Sequence, residues 1–185
     1  MRKRRGRVRR GGHGVPDPVF AQASRRAGRN SIKGDDMMIE IWTKEKYAGS
    51  EEAGFIGRMA HAGLKVKAAR LSRLYRVDGD LSRAEFDRLG RELLADPVSE
   101  RYSLKPGANG FKGAWRVEVW LKDSVTDVVG DSVREAVADV LGRRPERVRF
   151  GRAYYALGPS AAAMEAAVRG TLVNQTVNRF GMEKI

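Results

Sequence analysis

Ile39-Glu40-Ile41-Trp42-Thr43-Lys44 returns 78 residues later as Val117-Glu118-Val119-Trp120-Leu121-Lys122. Each run alternates β-branched or aromatic residues with polar ones, the two-residue period of a strand with one buried face. Two further matches keep almost the same register. Ser72-Arg73-Leu74-Tyr75 answers Gly151-Arg152-Ala153-Tyr154 at an offset of 79. Leu94-Ala95-Asp96-Pro97 with Arg101-Tyr102 answers Leu172-Val173-Asn174-Gln175 with Arg179-Phe180 at an offset of 78. Three separated matches in one register identify a tandem repeat, and the turn-forming run Lys105-Pro106-Gly107-Ala108-Asn109-Gly110 lies between the copies.

Working outward from the repeated strands, each copy is predicted to run strand, helix, strand pair, helix, strand. In the first copy, Ser50-Glu51-Glu52 has the chemistry of a helix start, with Phe55, Ile56, Met59 and Ala60 on one face and Gly63 as the stop. Residues 66–77 are predicted as two strands bending near Ser72. Ser82 and Glu85 have capping-box spacing ahead of Phe86, Leu89, Leu93 and Leu94, and Pro97 ends that helix. The second copy repeats the scheme. Val129, Val133, Val137, Val140 and Leu141 line a helix stopped at Gly142, residues 147–157 form a strand pair bending at Gly151, Ser160 opens an Ala-rich helix, and residues 176–182 form the last strand. The predicted class is α+β, with two ferredoxin-like β-α-β-β-α-β repeats packed as a pseudo-dimer. A lone unit of this size buries little of its surface, so packing the copies together is expected to supply the core. The domain reading is a basic tail over 1–37, a first repeat over 38–106, a linker over 107–113 and a second repeat over 114–185. Trp42, Tyr75, Trp120, Tyr154 and Tyr155 are expected to fill the core or the interface.

The composition excludes several chemistries. The 185 residues are 42% hydrophobic and 32% charged, with no cysteine, so disulfides, thiolate nucleophiles, Cys-based zinc sites and iron–sulfur clusters are ruled out. The net charge of +13 is uneven. Residues 1–36 hold 11 Lys or Arg against 3 Asp, a net of +8, whereas residues 37–185 hold 25 basic against 20 acidic residues, a net of +5. The basic segment begins MRKRRGRVRRGGHG and has few large apolar side chains and no helical or strand period, so it is predicted to stay disordered. It reads as an extension upstream of a start at Met37 or Met38, as a solvated tail, or as an arm that grips phosphates without reading sequence.

No catalytic constellation is expected. A glutaminase of the Cys–His type needs a thiol that the chain lacks. There is no Gly-x-x-x-x-Gly-Lys-Ser/Thr phosphate loop. The histidines are His13 in the tail and His61 near a helix end, with no second histidine nearby to form a relay or metal pair. Asp123, Asp127 and Asp131 recur every four residues; acids at a helix N-terminus facing unpaired amides account for them better than a cation site does. Arg143-Arg144-Pro145-Glu146-Arg147 reads as a solvated turn or a docking point for an acidic partner.

Three motifs carry a family resemblance. VEVWLKDSVTDVVGDSVREAVADVLG, at residues 117–142, contains Lys-x-x-Val-x-Asp-x-x-Gly as Lys122, Val125, Asp127 and Gly130. VRFGRAYYALG, at residues 148–158, contains a Gly-Arg-x-aromatic run, with Arg152 and Tyr154. LLADPVSERYSL, at residues 93–104, reads as a helix passing into a closing strand. Over residues 38–182 the chain resembles the PurS family, the small subunit of phosphoribosylformylglycinamidine synthase. Its two copies resemble the N-terminal domain of the long fused form of that enzyme. The first copy departs from the pattern at TKEKYAGSEEAG, residues 43–54, and the second carries Gln175 where the family has Pro.

The resemblance implies a non-catalytic, cytoplasmic scaffold in purine biosynthesis. Such a scaffold bridges a PurL-type synthetase and a PurQ-type glutaminase and helps ammonia pass between them. It also implies no cofactor on this chain, with ATP and Mg used by the synthetase. Lys122, Val125, Asp127, Gly130, Arg152 and Tyr154 then become the candidate partner-binding residues, and a homo-oligomer is compatible with the pattern. The competing reading is an RNA- or DNA-binding ferredoxin-like sheet with surface aromatics and a basic arm, although the aromatic RNA-binding signature of such sheets does not occur in the sequence.

Overall fold

Alternating apolar side chains on six segments form one antiparallel sheet with helices packed on one face. The computed structural model describes residues 37–185. In chain order the elements are β1 (Met38–Thr43), α1 (Glu45–His61), β2 (Ala68–Asp78), α2 (Arg83–Leu89) continuing into a π-helical turn (Gly90–Leu94), β3 (Glu100–Ser103), β4 (Trp115–Leu121), α3 (Val128–Leu141), β5 (Arg147–Leu157), α4 (Ala161–Thr171) and β6 (Asn178–Lys184). The strand order is β3-β1-β2-β5-β4-β6 and every pairing is antiparallel. The order is mirrored about the β2–β5 pair, and the residues paired at its middle, Arg73 and Arg152, are the ones matched between the sequence copies.

The class is therefore α+β, but the expected strand pairs are absent. Residues 68–78 and 147–157 are single eleven-residue strands, paired with each other along their full length. Ser72 and Gly151 sit inside these strands, not at bends. A glycine in a strand marks either a bend or a close approach, and here it is the approach: a first side-chain carbon on Gly151 would lie 2.6 Å from the Trp120 ring. Each half thus contributes three strands to a shared sheet.

Two core clusters lie on the helix-bearing face. One joins Phe55 and Met59 of α1 and Ala69 of β2 to Val117, Tyr154, Ala156, Met164 and Val168 of β4, β5 and α4. The other joins Ile39, Ile41, Tyr75, Val77, Phe86 and Leu89 of β1, β2 and α2 to Val137 of α3 and Val148 of β5. The first helix of each half therefore packs on the central strand of its own half, α1 on β2 and α3 on β5, and reaches across it to core residues of the other half. Met37, assigned above to the tail, lies in the second cluster; the rest of that segment lies outside the described residues.

The helix boundaries test the sequence signals. The Ser82–Glu85 capping box forms in both directions, Ser160 caps α4, and Gly142 ends α3 at φ +68. Helix α1 begins at Glu45, well before the expected start at Ser50, because Lys44 takes the cap position directly after β1 with no side-chain cap. Strand β3 covers Glu100–Ser103, inside the closing strand expected over residues 98–104, and β6 covers Asn178–Lys184, two residues later than expected. Among the described residues, no helix is long and apolar enough to cross a membrane.

Candidate functional site

The connection from β4 to α3 brings four of the six candidate residues together, and the fold itself uses their polar groups. The Lys122 amide donates to the Val177 carbonyl at 2.9 Å, and its ammonium donates to the Gln175 carbonyl at 2.6 Å. The Val125 amide donates back to the Lys122 carbonyl at 3.0 Å, closing a turn. Asp127 is the N-cap of α3: Oδ1 accepts from the Gly130 amide at 2.8 Å and Oδ2 from the Phe150 amide at 2.7 Å. One carboxylate thereby caps a helix and fastens it to β5. Gly130 is buried, and any side chain there would drive its first carbon into the Val148 carbonyl oxygen.

Those residues fix the shape of the loop, and its outward surface is formed by others. Val128 is 69% exposed and Val129 43% exposed, beside the exposed Asp123, Ser124 and Thr126. Asp123 meets Arg147 at 3.0 Å and Arg179 at 3.4 Å. Of Asp123, Asp127 and Asp131, one binds arginines, one caps the helix, and Asp131 lies in the first helical turn where the dipole favours it.

The remaining two candidates lie apart from this loop on β5. Tyr154 is buried, with its ring stacked on Phe55 at a centroid distance of 5.2 Å. Arg152 is exposed in the central row beside Arg73, between the two core clusters. The Arg73 guanidinium reaches both Glu100 oxygens, at 2.6 and 2.7 Å.

Sequence reasoning missed a polar network on the opposite sheet face. Glu40 is 0% exposed. It accepts hydrogen bonds from the Gly107 amide at 2.7 Å, the Ala108 amide at 3.2 Å and the Tyr155 hydroxyl at 2.6 Å. Arg116 is paired with Glu118 and, at 2.7 Å, with Glu183. Burial, and then the Glu40 carboxylate beside it, pushes the Tyr155 hydroxyl well above the usual phenol range. Burial opposes the Arg116 charge, but Glu118 and Tyr155 outweigh it and hold the guanidinium above its usual value. Glu40 alternates with Ile39 and Ile41, which by period alone places it on a solvated face; only the inter-copy linker, folded across that face, buries it.

Two aromatics of this face, Trp120 and Tyr155, offer little to a nucleobase. Trp120 is 5% exposed, donates to Glu118 at 3.0 Å and carries the Arg76 guanidinium over its ring at 5.7 Å. Tyr155 is fully buried. Stacking on single strands needs an accessible ring face. In comparisons with known proteins, no family model and no curated protein matches the chain.

Proposed function

We propose that this chain is a PurS-like scaffold without catalytic residues of its own. It would bridge a PurL-type synthetase and a PurQ-type glutaminase in phosphoribosylformylglycinamidine synthase. The observation that carries the reading is the mirrored sheet centred on Arg73 and Arg152. Two tandem repeats fused as a pseudo-dimer produce that mirror, and a fused dimer of small subunits is what the motifs resemble. The two core clusters support it, because each draws residues from both halves. The loop shaped by Lys122, Val125, Asp127 and Gly130 presents Val128 and Val129 as its apolar contact surface, since exposed apolar side chains beside charged ones fit a protein interface.

The test is reconstitution. Glutamine-dependent ligase turnover by a PurL-type synthetase and a PurQ-type glutaminase should require this chain. Val128→Asp with Val129→Asp should reduce that turnover at an unchanged melting temperature. Full turnover in the absence of the chain would refute the reading.

A further inference from the structure

The mirrored sheet has two unlike edges. At one edge, β3 is four residues long. Its outward-facing backbone is Tyr102 and Glu100, and the Glu100 amide is already taken by the Asp96 carbonyl at 2.8 Å. At the other edge, β6 runs seven residues in unbroken register with β4, without proline or bulge. Its ladder is fixed by the Lys122 amide on the Val177 carbonyl and the Ile185 amide on the Ala114 carbonyl. By the alternation of an antiparallel ladder, Phe180, Met182 and Lys184 then turn their amides and carbonyls away from β4. Among the described residues, no strand lies beyond β6. Sheets commonly shorten, charge or cover such an edge, because it is a template for another strand.

The β6 sequence, Asn178-Arg179-Phe180-Gly181-Met182-Glu183-Lys184, is complementary to its own reverse about Gly181. Antiparallel pairing about that point sets Arg179 opposite Glu183, Phe180 opposite Met182 and Gly181 opposite Gly181. Phe180 and Met182 stand at hydrogen-bonding positions, so each such pair exchanges both backbone bonds. Gly181 and the Arg179–Glu183 pairs stand at the other positions, where opposed Cα atoms approach to about 4.5 Å. A slip of two residues either way keeps the ladder but sets Arg179 against Gly181 or Ile185, and both charge pairs are lost.

The side chains can take part. Glu183 is 49% exposed and gives Oε1 to Arg116, which leaves Oε2 for a second guanidinium. Arg179 is held in its own chain by Asp123 at 3.4 Å, a long contact. Phe180 and Met182 are half-buried at the margin of the first core cluster, and a thioether packs well against a ring. Helix α4, whose Arg169 lies over the Phe180 ring at 4.9 Å, is exposed at Ala162, Ala166 and Gly170. That stripe presents no bulky side chain to a copy of itself.

We propose that β6 is the site at which a second copy of this chain adds its own β6, antiparallel about an axis through Gly181, so that one sheet runs through both copies. Such pairing needs neither a synthetase nor a glutaminase. It can fail while the scaffold reading holds, and the reverse.

Sedimentation equilibrium on the full chain tests this. The chain should be a reversible dimer at micromolar concentration. Met182→Pro removes an outward amide, which an edge strand tolerates and pairing does not. It should weaken dimerisation at least about tenfold. Arg179→Glu and Glu183→Arg each set like charges across the axis, and each alone should weaken dimerisation by at least about tenfold. An equimolar mixture of these two variants places opposite charges at both positions and should dimerise again. A change inside one chain cannot mimic that recovery. A parent chain that stays monomeric up to about 1 mM overturns the proposal. So does a dimer that survives Met182→Pro or both charge variants, and so does a mixture of the two folded charge variants that fails to recover.

Discussion

The two strand-to-helix connections start alike and diverge after one residue. Lys44 donates its amide to the Ser99 carbonyl and its ammonium to the carbonyls of Pro97 and Val98, at 2.7 and 2.9 Å. Lys122 does the same with Val177 and Gln175. Each lysine ties the start of its helix connection to the loop ahead of the edge strand, so Gln175 in place of Pro leaves the tie intact, because a backbone carbonyl receives it. After the lysine the halves part. Helix α1 starts at once with no side-chain cap, whereas α3 waits for a loop capped by Asp127. The Lys of the family signature is therefore an anchor common to both halves, and the Asp and Gly belong to the second half's loop.

The largest expected effect concerns the first helix of each half. Phe55→Ala removes the α1 ring stacked on Tyr154 and should destabilise the chain by roughly 3–5 kcal/mol. Val137→Ala, at the fully buried valine of α3, removes less volume and should lose less. Equal losses in denaturant titration would break the idea that α1 carries the larger share of the contact between the halves.

Next come the two residues that distinguish the second connection. Asp127→Ala removes a cap and leaves the Phe150 amide without its acceptor, a loss of about 2 kcal/mol. For a chain of this size, that lowers the melting temperature by several degrees. Gly130→Ala should lose roughly 1–3 kcal/mol because the Val148 backbone must move. An Asp127→Ala protein that melts like the parent but assembles poorly would return Asp127 to a direct partner-binding role.

The lysines should be nearly equivalent. Lys44→Ala and Lys122→Ala each remove exposed hydrogen bonds, with expected losses of about 1 kcal/mol or less. A loss confined to Lys122 would show that the two anchors are not counterparts.

The smallest effect contrasts the Asp127 cap with the Ser82–Glu85 box. The Arg143 guanidinium, and then Ser82, hold the Glu85 carboxyl down to about 2. A depressed folded value contributes stability above the ordinary carboxylate range and loses it as the pH falls toward 2. Glu85→Gln should therefore lower the melting temperature slightly at pH 6, and the difference should vanish near pH 2. A difference that persists below pH 2 would show that packing, not charge, sets the effect.

Much of this was legible without coordinates, because local chemistry fixes local structure. The matched strands, the Ser82 box, the Ser160 cap and the Gly142 stop depend on contacts within a few residues. Three signals misled for a common reason. Gly151 was read as a bend because sequence does not reveal a tryptophan one strand away. Ser50 was read as a helix start because nothing local showed that Lys44 already serves as one. Tyr154 was counted among the partner-binding candidates as well as the core because its stacking partner, Phe55, lies 99 residues earlier.

The sequence alone determined the α+β class, the absence of cysteine chemistry and the helix ends at Ser82, Ser160 and Gly142, since these follow from residue identity and short-range period. Only the tertiary structure decided that long strands pair across the centre, that each core draws on both halves, and that Glu40 is buried beneath the inter-copy linker. Those outcomes depend on which distant segment arrives to complete a ladder or cover a face, and two-residue alternation reads the same whether the polar side meets water or another part of the chain.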